Sequence, residues 1–220
     1  SVITCEGGVK LAVNASPLIA DVAVLDATLT VGLPPHVTAA TGIDAIVHSI
    51  EAYTSARLKN PISDALAREA LRLLTANLLT AIGEPENIDA RAAMLLGAHL
   101  AGLAFSNAPV AGVHALAYPL GGLHHLPHGL SNALMLRHVL AHNAEAAREH
   151  YAELAGIVAP ECARQGSQAR AALLIERLDS LVRESGIATR LRDHGIAADD
   201  VPRLAREAMK QTRLLVNNPC

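Results

Sequence analysis

The sequence predicts a mainly helical chain that carries a short extended segment at its N-terminus. Three observations lead there. From Thr38 onward the apolar residues recur with a 3.6-residue period, the spacing of one face of an α-helix. Before that point, short apolar or β-branched runs alternate with Gly, Asn and Pro, the pattern of strands and turns. And 51% of the 220 residues are hydrophobic against 18% charged, which excludes a disordered chain and suffices for one large domain or one and a half ordinary ones. Aromatics are nearly absent, so the core has to be built from Leu, Ala, Val and Ile.

The N-terminal runs are Lys10-Leu11-Ala12-Val13 and Val22-Ala23-Val24-Leu25-Asp26, bounded by Gly7-Gly8, Asn14, Pro17 and Gly32-Leu33-Pro34-Pro35. So few short strands cannot stand as a domain. They read as the edge of a sheet whose remainder lies elsewhere, giving an expected division into 1–37 and an all-helical 38–220. The first helix carries Ile43, Ile46, Val47 and Ile50 at i, i+3, i+4, i+7. The second starts at Asn60-Pro61, a cap followed by proline in the first turn, with Leu66, Leu71, Leu74 and Leu78 on its apolar face and Gly83 and Pro85 at its end. Further helical patterns cover roughly 88–106, 110–118, 130–141, 144–159, 167–184 and 198–212, with a break expected across Pro119–Pro127. The most apolar run, Ala92 to Phe105, is shorter than the ~20 residues of a bilayer crossing and is expected to be a buried helix.

Net charge is −3 and no basic tract exists, so nucleic acid is not an expected partner. No signal peptide or membrane span is expected. The cysteines Cys5, Cys162 and Cys220 are too scattered for a disulfide scaffold or a thiolate zinc site, and a reducing cytoplasm is the expected compartment.

Eleven histidines are present, eight of them between His99 and His150. Asp44 and His48 are four apart, so on a helix they share a face, as a surface pair or as two ligands of one cation. His114 and His128 are fourteen apart, about 21 Å on one straight helix, too far to share an ion at ligand distances near 2.0–2.1 Å. The intervening Pro119, Gly121, Gly122 and Pro127 suit a reversal that brings the two together. One carboxylate and three imidazoles suit a divalent transition ion such as Fe(II) or Zn(II), and open positions would make it a Lewis acid.

The stretch Thr41-Gly42-Ile43-Asp44-Ala45-Ile46-Val47-His48-Ser49-Ile50-Glu51-Ala52-Tyr53 resembles the metal-binding helix of the iron-containing (group III) alcohol dehydrogenases, and Gly112–Gly129 resembles their histidine signature. Val2-Ile3-Thr4, Leu29–Pro35 and Asn218-Pro219 also look like family features. The resemblance implies the helical C-terminal domain of a dehydroquinate synthase-like fold, with 1–37 left from the α/β nucleotide-binding domain. It assigns Asp44, His48, His114 and His128 to the metal, and Lys10, Leu29 and Phe105 to the dinucleotide. Many family members have a second histidine where this chain has Tyr118, so the proton relay falls to Tyr118, to His124, or to substrate and water. No Gly-rich phosphate loop follows a strand here, so by resemblance that loop would precede Ser1 and the chain would be the C-terminal part of a longer enzyme.

The resemblance thus implies hydride transfer between NAD or NADP and a small alcohol or aldehyde, assisted by Fe(II) or Zn(II), in an enzyme that could form a homodimer. A zinc-dependent glycerol dehydrogenase-like enzyme and a non-catalytic helical metal-binding fragment are the alternatives. His36, His138, His142, His150 and His194 read as surface or capping residues and His99 as a core histidine, while His124 and His125 are candidates to line the cleft.

Overall fold

The computed structural model describes the backbone of residues 2–4 and 10–12, and residues 20–220 in full. Strands β1 (Val2–Thr4) and β2 (Lys10–Ala12) pair antiparallel, with Ile3 opposite Leu11. Val22–Asp26, expected to be strand-like, forms no strand, and its apolar side chains Val22 and Val24 are exposed. A single 3-10 turn, Ala27–Thr30, follows and is capped by Asp26, whose Oδ1 accepts the Thr28 amide at 2.9 Å.

Everything beyond is helical: α1 (Pro35–Thr54), α2 (Pro61–Gly83), α3 (Ile88–Asn107), α4 (Gly112–His124), α5 (His128–Asn143), α6 (Arg148–Val158), α7 (Ser167–Glu184), α8 (Val201–Met209) and the short α9 (Thr212–Leu215). α1 is the central element. Thirteen of its twenty residues are buried, against α2, α3, α5 and, at its C-terminal end, α4. Ile43, Ile46, Val47 and Ile50 meet Leu71, Leu74 and Leu78 of α2 in one core that continues through Leu136 and Leu140 to Leu154 and Leu174. The start of α2 follows its sequence signal closely. Asn60 Oδ1 accepts the Ile62 and Ser63 amides, Ser63 Oγ accepts the Asn60 amide, and Pro61 occupies the first turn.

Two expectations need correction. α3 is not a buried helix. It is 20 residues long and apolar enough, by length and composition, to cross a membrane, and only one of its faces is covered. Ala90, Gly97, Ala101 and Ala104 pack on the first two helices, while Leu96 and Leu103 on the other side are each 42% exposed. An all-round apolar composition carries no phase to say which side is inside. His99 accordingly is half-buried, not a core residue. The second correction concerns Pro119, which does not end α4: the helix runs through it to His124. Pro119 costs one backbone hydrogen bond, but it is buried, as are its neighbours Tyr118 and Leu120, so tertiary packing holds the turn.

α5 lies so close to α1 that a Cβ at Gly129 would stand 2.3 Å from the Ala40 carbonyl oxygen. Backbone cannot yield there. Gly102, in α3, has nothing within 4 Å of its missing Cβ. The two glycines therefore respond oppositely to the same substitution. Gly129→Ala is expected to lower stability by at least about 1–3 kcal/mol through overpacking, and Gly102→Ala to raise it by about 0.5–1 kcal/mol. Thermal unfolding followed by circular dichroism checks both signs.

Candidate metal centre

Three helices deliver the four residues. α1 supplies Asp44 and His48 one turn apart, α4 supplies His114 in its first turn, and α5 begins at His128. Asp44 Oδ1 lies 3.8 Å from His48 Nε2, 3.8 Å from His114 Nε2 and 3.7 Å from His128 Nε2. The four donor atoms all fall within 4.8 Å of one another. The His48 and His114 rings stack at 4.9 Å, and His114 and His128 stand 5.3 Å apart. Among the described residues this is the one such group.

The reversal joining His114 to His128 is made later than expected. Gly121 and Gly122 are helical; the chain turns at His125, whose φ of 56° is left-handed. The His125 amide, and more weakly that of Leu126 at 3.4 Å, returns to the Leu120 carbonyl and closes the helix. Pro127 then starts α5, and Gly129 lets that start sit against α1. At the other side, Gly112 opens α4 where a Cβ would lie 2.5 Å from Asn218 Oδ1. The loop before it is tied down by Ser55 Oγ donating to the Pro109 carbonyl and Asn217 Nδ2 donating to that of Val110. Asn218 in turn exchanges two amide hydrogen bonds with Asn143.

The electrostatics suit a cation. Burial pushes the His48 imidazole down to about 4, with the neighbouring imidazoles adding to that and Asp44 opposing it. A fifth of the side chain still reaches solvent, yet the ring is hemmed in by Phe105 at 4.5 Å and by His114. His48 is therefore neutral near pH 7 and keeps a free lone pair. Two further residues belong to the site. Asn132, fully buried and four residues after His128, donates from Nδ2 to Asp44 Oδ1 at 2.5 Å, and the same nitrogen faces Nε2 of His114 at 3.2 Å and of His128 at 3.3 Å. Its electropositive amide end thus sits among acceptors, where a cation would compete, while its buried Oδ1 has no partner. Glu51, also buried, reaches His114 Nδ1 at 2.6 Å. Neither carries a role in the sequence reading, although each lies three or four residues beyond a candidate ligand on the same helix face, and that spacing was the available signal.

The remaining candidates divide. Phe105 stands over His48, at the edge of the centre. Leu29 lies on the 3-10 turn and is 82% exposed. Lys10 is in β2, and its side chain falls outside the described residues. The Tyr118 ring is 6.1 Å from that of His128. Burial first, then Asp44 and Glu51, raise its phenol, with Arg213 opposing. His124 closes α4, half-buried, and His125 is exposed at the turn. His194 is tied instead to the Ala188 carbonyl at 2.7 Å.

The middle of α1 and the starts of α4 and α5 bring one carboxylate and three imidazoles together as an N3O donor set that could hold one metal ion. The model of the Fe-containing alcohol dehydrogenase family, C-terminal part, matches residues 38–220, and the chain belongs to that family. It is 41% identical over 92% of its length to long-chain-alcohol dehydrogenase 1 of Geobacillus thermodenitrificans and 37% identical over 96% to 1,3-propanediol dehydrogenase of Klebsiella pneumoniae, and spans 51% and 54% of those proteins. It matches a crystal structure of 1,3-propanediol oxidoreductase with a TM-score of 0.85 at 38% identity, covering 89% of this chain and 50% of that one. Sulfoacetaldehyde reductase of Bifidobacterium kashiwanohense, solved with NAD+, matches with a TM-score of 0.77 at 30% identity over 89% of this chain and 49% of that one. The chain thus spans about half the length of these relatives.

The Tyr118 side chain is buried, with Arg213 near enough to oppose the rise of its phenol. Tyr118→Phe keeps the ring packing and removes only the hydroxyl, so it is expected to change stability by no more than about 1.5 kcal/mol, the net worth of one hydrogen bond, as measured by urea unfolding. A larger loss would show that the hydroxyl is a structural anchor and not a group held ready for chemistry.

Proposed function

We propose that residues 38–220 form the metal-binding half of an NAD- or NADP-dependent alcohol dehydrogenase or aldehyde reductase, with 1–37 belonging to the edge of its nucleotide-binding domain. The observation that carries this reading is the convergence of Asp44, His48, His114 and His128 on one point, in a family described by its iron. These four side chains would hold Fe(II) or Zn(II), with no thiolate needed. When bound, the ion supplies Lewis acidity toward a substrate oxygen, and the nicotinamide supplies or takes the hydride.

The chain's own residues do the rest. Asp44 brings the one formal negative charge of the ligand set, partly offsetting a dication. Neutral His48 contributes its lone pair without first shedding a proton at neutral pH. Phe105 covers His48 and excludes water from that side, where the resemblance places the nicotinamide. Leu29 and Lys10 would meet the dinucleotide farther out. The raised phenol of Tyr118 stays protonated near pH 7, so Tyr118 is suited to donate a hydrogen bond to the reacting oxygen, with His124 as the next group along α4. The relatives' names support small alcohols and aldehydes as the substrate class. The thiols of Cys162 and Cys220 are free, which fits the cytoplasm. His128 approaches Asp44 as closely as the other two histidines do, which favours this reading over a three-ligand zinc enzyme.

The chain is expected to take up one Fe(II) or Zn(II) per molecule in equilibrium dialysis under anaerobic conditions. Asp44→Ala and His114→Ala are each expected to weaken uptake at least about tenfold, because each removes a ligand. Uptake that survives both substitutions, or no uptake by the parent, overturns the reading. Turnover of alcohols or aldehydes with NAD(P) and added metal, assayed in parallel, separates a working enzyme from a fragment that only binds the ion.

A further inference from the structure

Glu51 lies on α1, three residues beyond His48, and is 4% exposed. Each oxygen of its carboxylate has one nitrogen in front of it. Oε1 accepts the Val113 amide at 2.6 Å, and Oε2 meets His114 Nδ1 at 2.6 Å. Both nitrogens belong to the first turn of α4, which has no side-chain cap of its own because Ala111 precedes it. Glu51 therefore caps that helix from another helix.

We propose that Glu51 is a positioning residue for the metal centre: it locks His114 as the Nδ1–H tautomer, which turns the Nε2 lone pair toward Asp44. This rests on the metal-centre reading above. The Val113 amide can only donate, so Oε1 is spent as an acceptor. A carboxylate has no donor to offer Nδ1, so Nδ1 must carry the proton. The other side of the ring is compatible with this. Nε2 of His114 is faced by Asn132 Nδ2 at 3.2 Å, an amide donor that a lone pair there would accommodate. An imidazolium, with protons on both nitrogens, would set two donors against each other there. A histidine held this way by a carboxylate on its far nitrogen is a better and better-aimed ligand.

The argument requires a carboxylate. Glutamine has nearly the same shape but only one acceptor oxygen, so it satisfies either Val113 or the Nδ1–H of His114. In Glu51→Gln, the Val113 amide faces an NH2 group, or the ring switches its proton to Nε2 and loses its lone pair for the metal.

The test uses the full 220-residue chain. In the metal-free parent, long-range proton–nitrogen NMR of the histidine rings should show the Nδ1–H pattern for His114, identified by its absence in His114→Ala. In Glu51→Gln that signal should move toward the Nε2–H pattern. Zinc affinity, measured by chelator competition, should fall about 10–100-fold in Glu51→Gln. The same substitution made on top of His114→Ala should change affinity less than about twofold. An Nε2–H ring in the parent overturns the proposal, even if Glu51→Gln fails to fold. So does an affinity loss that is equally large without His114, which would mark Glu51 as a helix cap only. A parent that takes up no zinc overturns the metal centre itself, whereas the ring shifts decide what Glu51 does to His114.

Discussion

α1 has to satisfy two opposed demands, and the rest of the molecule follows from how it does so. It is buried along most of its length, with Ile43, Ile46, Val47 and Ile50 in the core. It also carries Asp44, His48 and Glu51 along one stripe. Burying such groups is unfavourable unless each meets a partner. Within α1 the stripe offers only the 3.8 Å approach of His48 to Asp44, longer than a hydrogen bond, so the partners have to come from elsewhere. They come from the first turns of α4 and α5: the Val113 amide, His114, His128 and, a turn further on, Asn132. Fold and site are thus one problem, since the groups that solve the burial of α1 are the groups that meet at the candidate metal centre.

Close backbone approach makes that solution possible. Gly129 lets α5 reach the Ala40 carbonyl, and Gly112 lets α4 start against Asn218. A side chain at Gly129 would meet the α1 backbone and push that helix start away from Asp44, while one at Gly112 would displace the Asn218 side chain. The anchoring of these starts is distributed. Ser55, Asn143, Asn217 and Asn218 hold the segment before α4 through hydrogen bonds spanning 54 to 107 residues of sequence. Arg91 does similar work at the other end of α1, where Nη1 donates to Thr38 Oγ1 at 2.9 Å and Nε to the Pro85 carbonyl at 3.0 Å. A ligand set spread over three helices tolerates little slack, and these ties remove it.

The ligand residues were legible because they obey spacing rules that hold before any tertiary contact forms. Asp44 and His48 fall one turn apart on an amphipathic helix, and that helix forms where its period says. Asn60 and Pro61 mark the start of α2 by local chemistry alone. The fate of α3 was not legible, because a helix apolar all round does not say which face is covered. Pro119 misled for the opposite reason. Its local signal is strong, but the buried Tyr118 and Leu120 beside it keep the helix intact, and the turn is made instead by His125 in a left-handed conformation that histidine seldom adopts.

By itself, then, the sequence determined the helical class, the core faces of the first two helices and the Asp44–His48 pair, since each depends on interactions within about one helical turn, while His114 and His128 were candidates through the expected reversal between them and the family resemblance. Only the tertiary structure decided that His114 and His128 meet at Asp44, that Asn132 stands among them, and that Glu51 meets Nδ1 of His114. Those facts depend on where α4 and α5 come to rest against α1. That placement is fixed by glycine contacts and amide hydrogen bonds between residues distant in sequence, which leave no periodic trace along the chain.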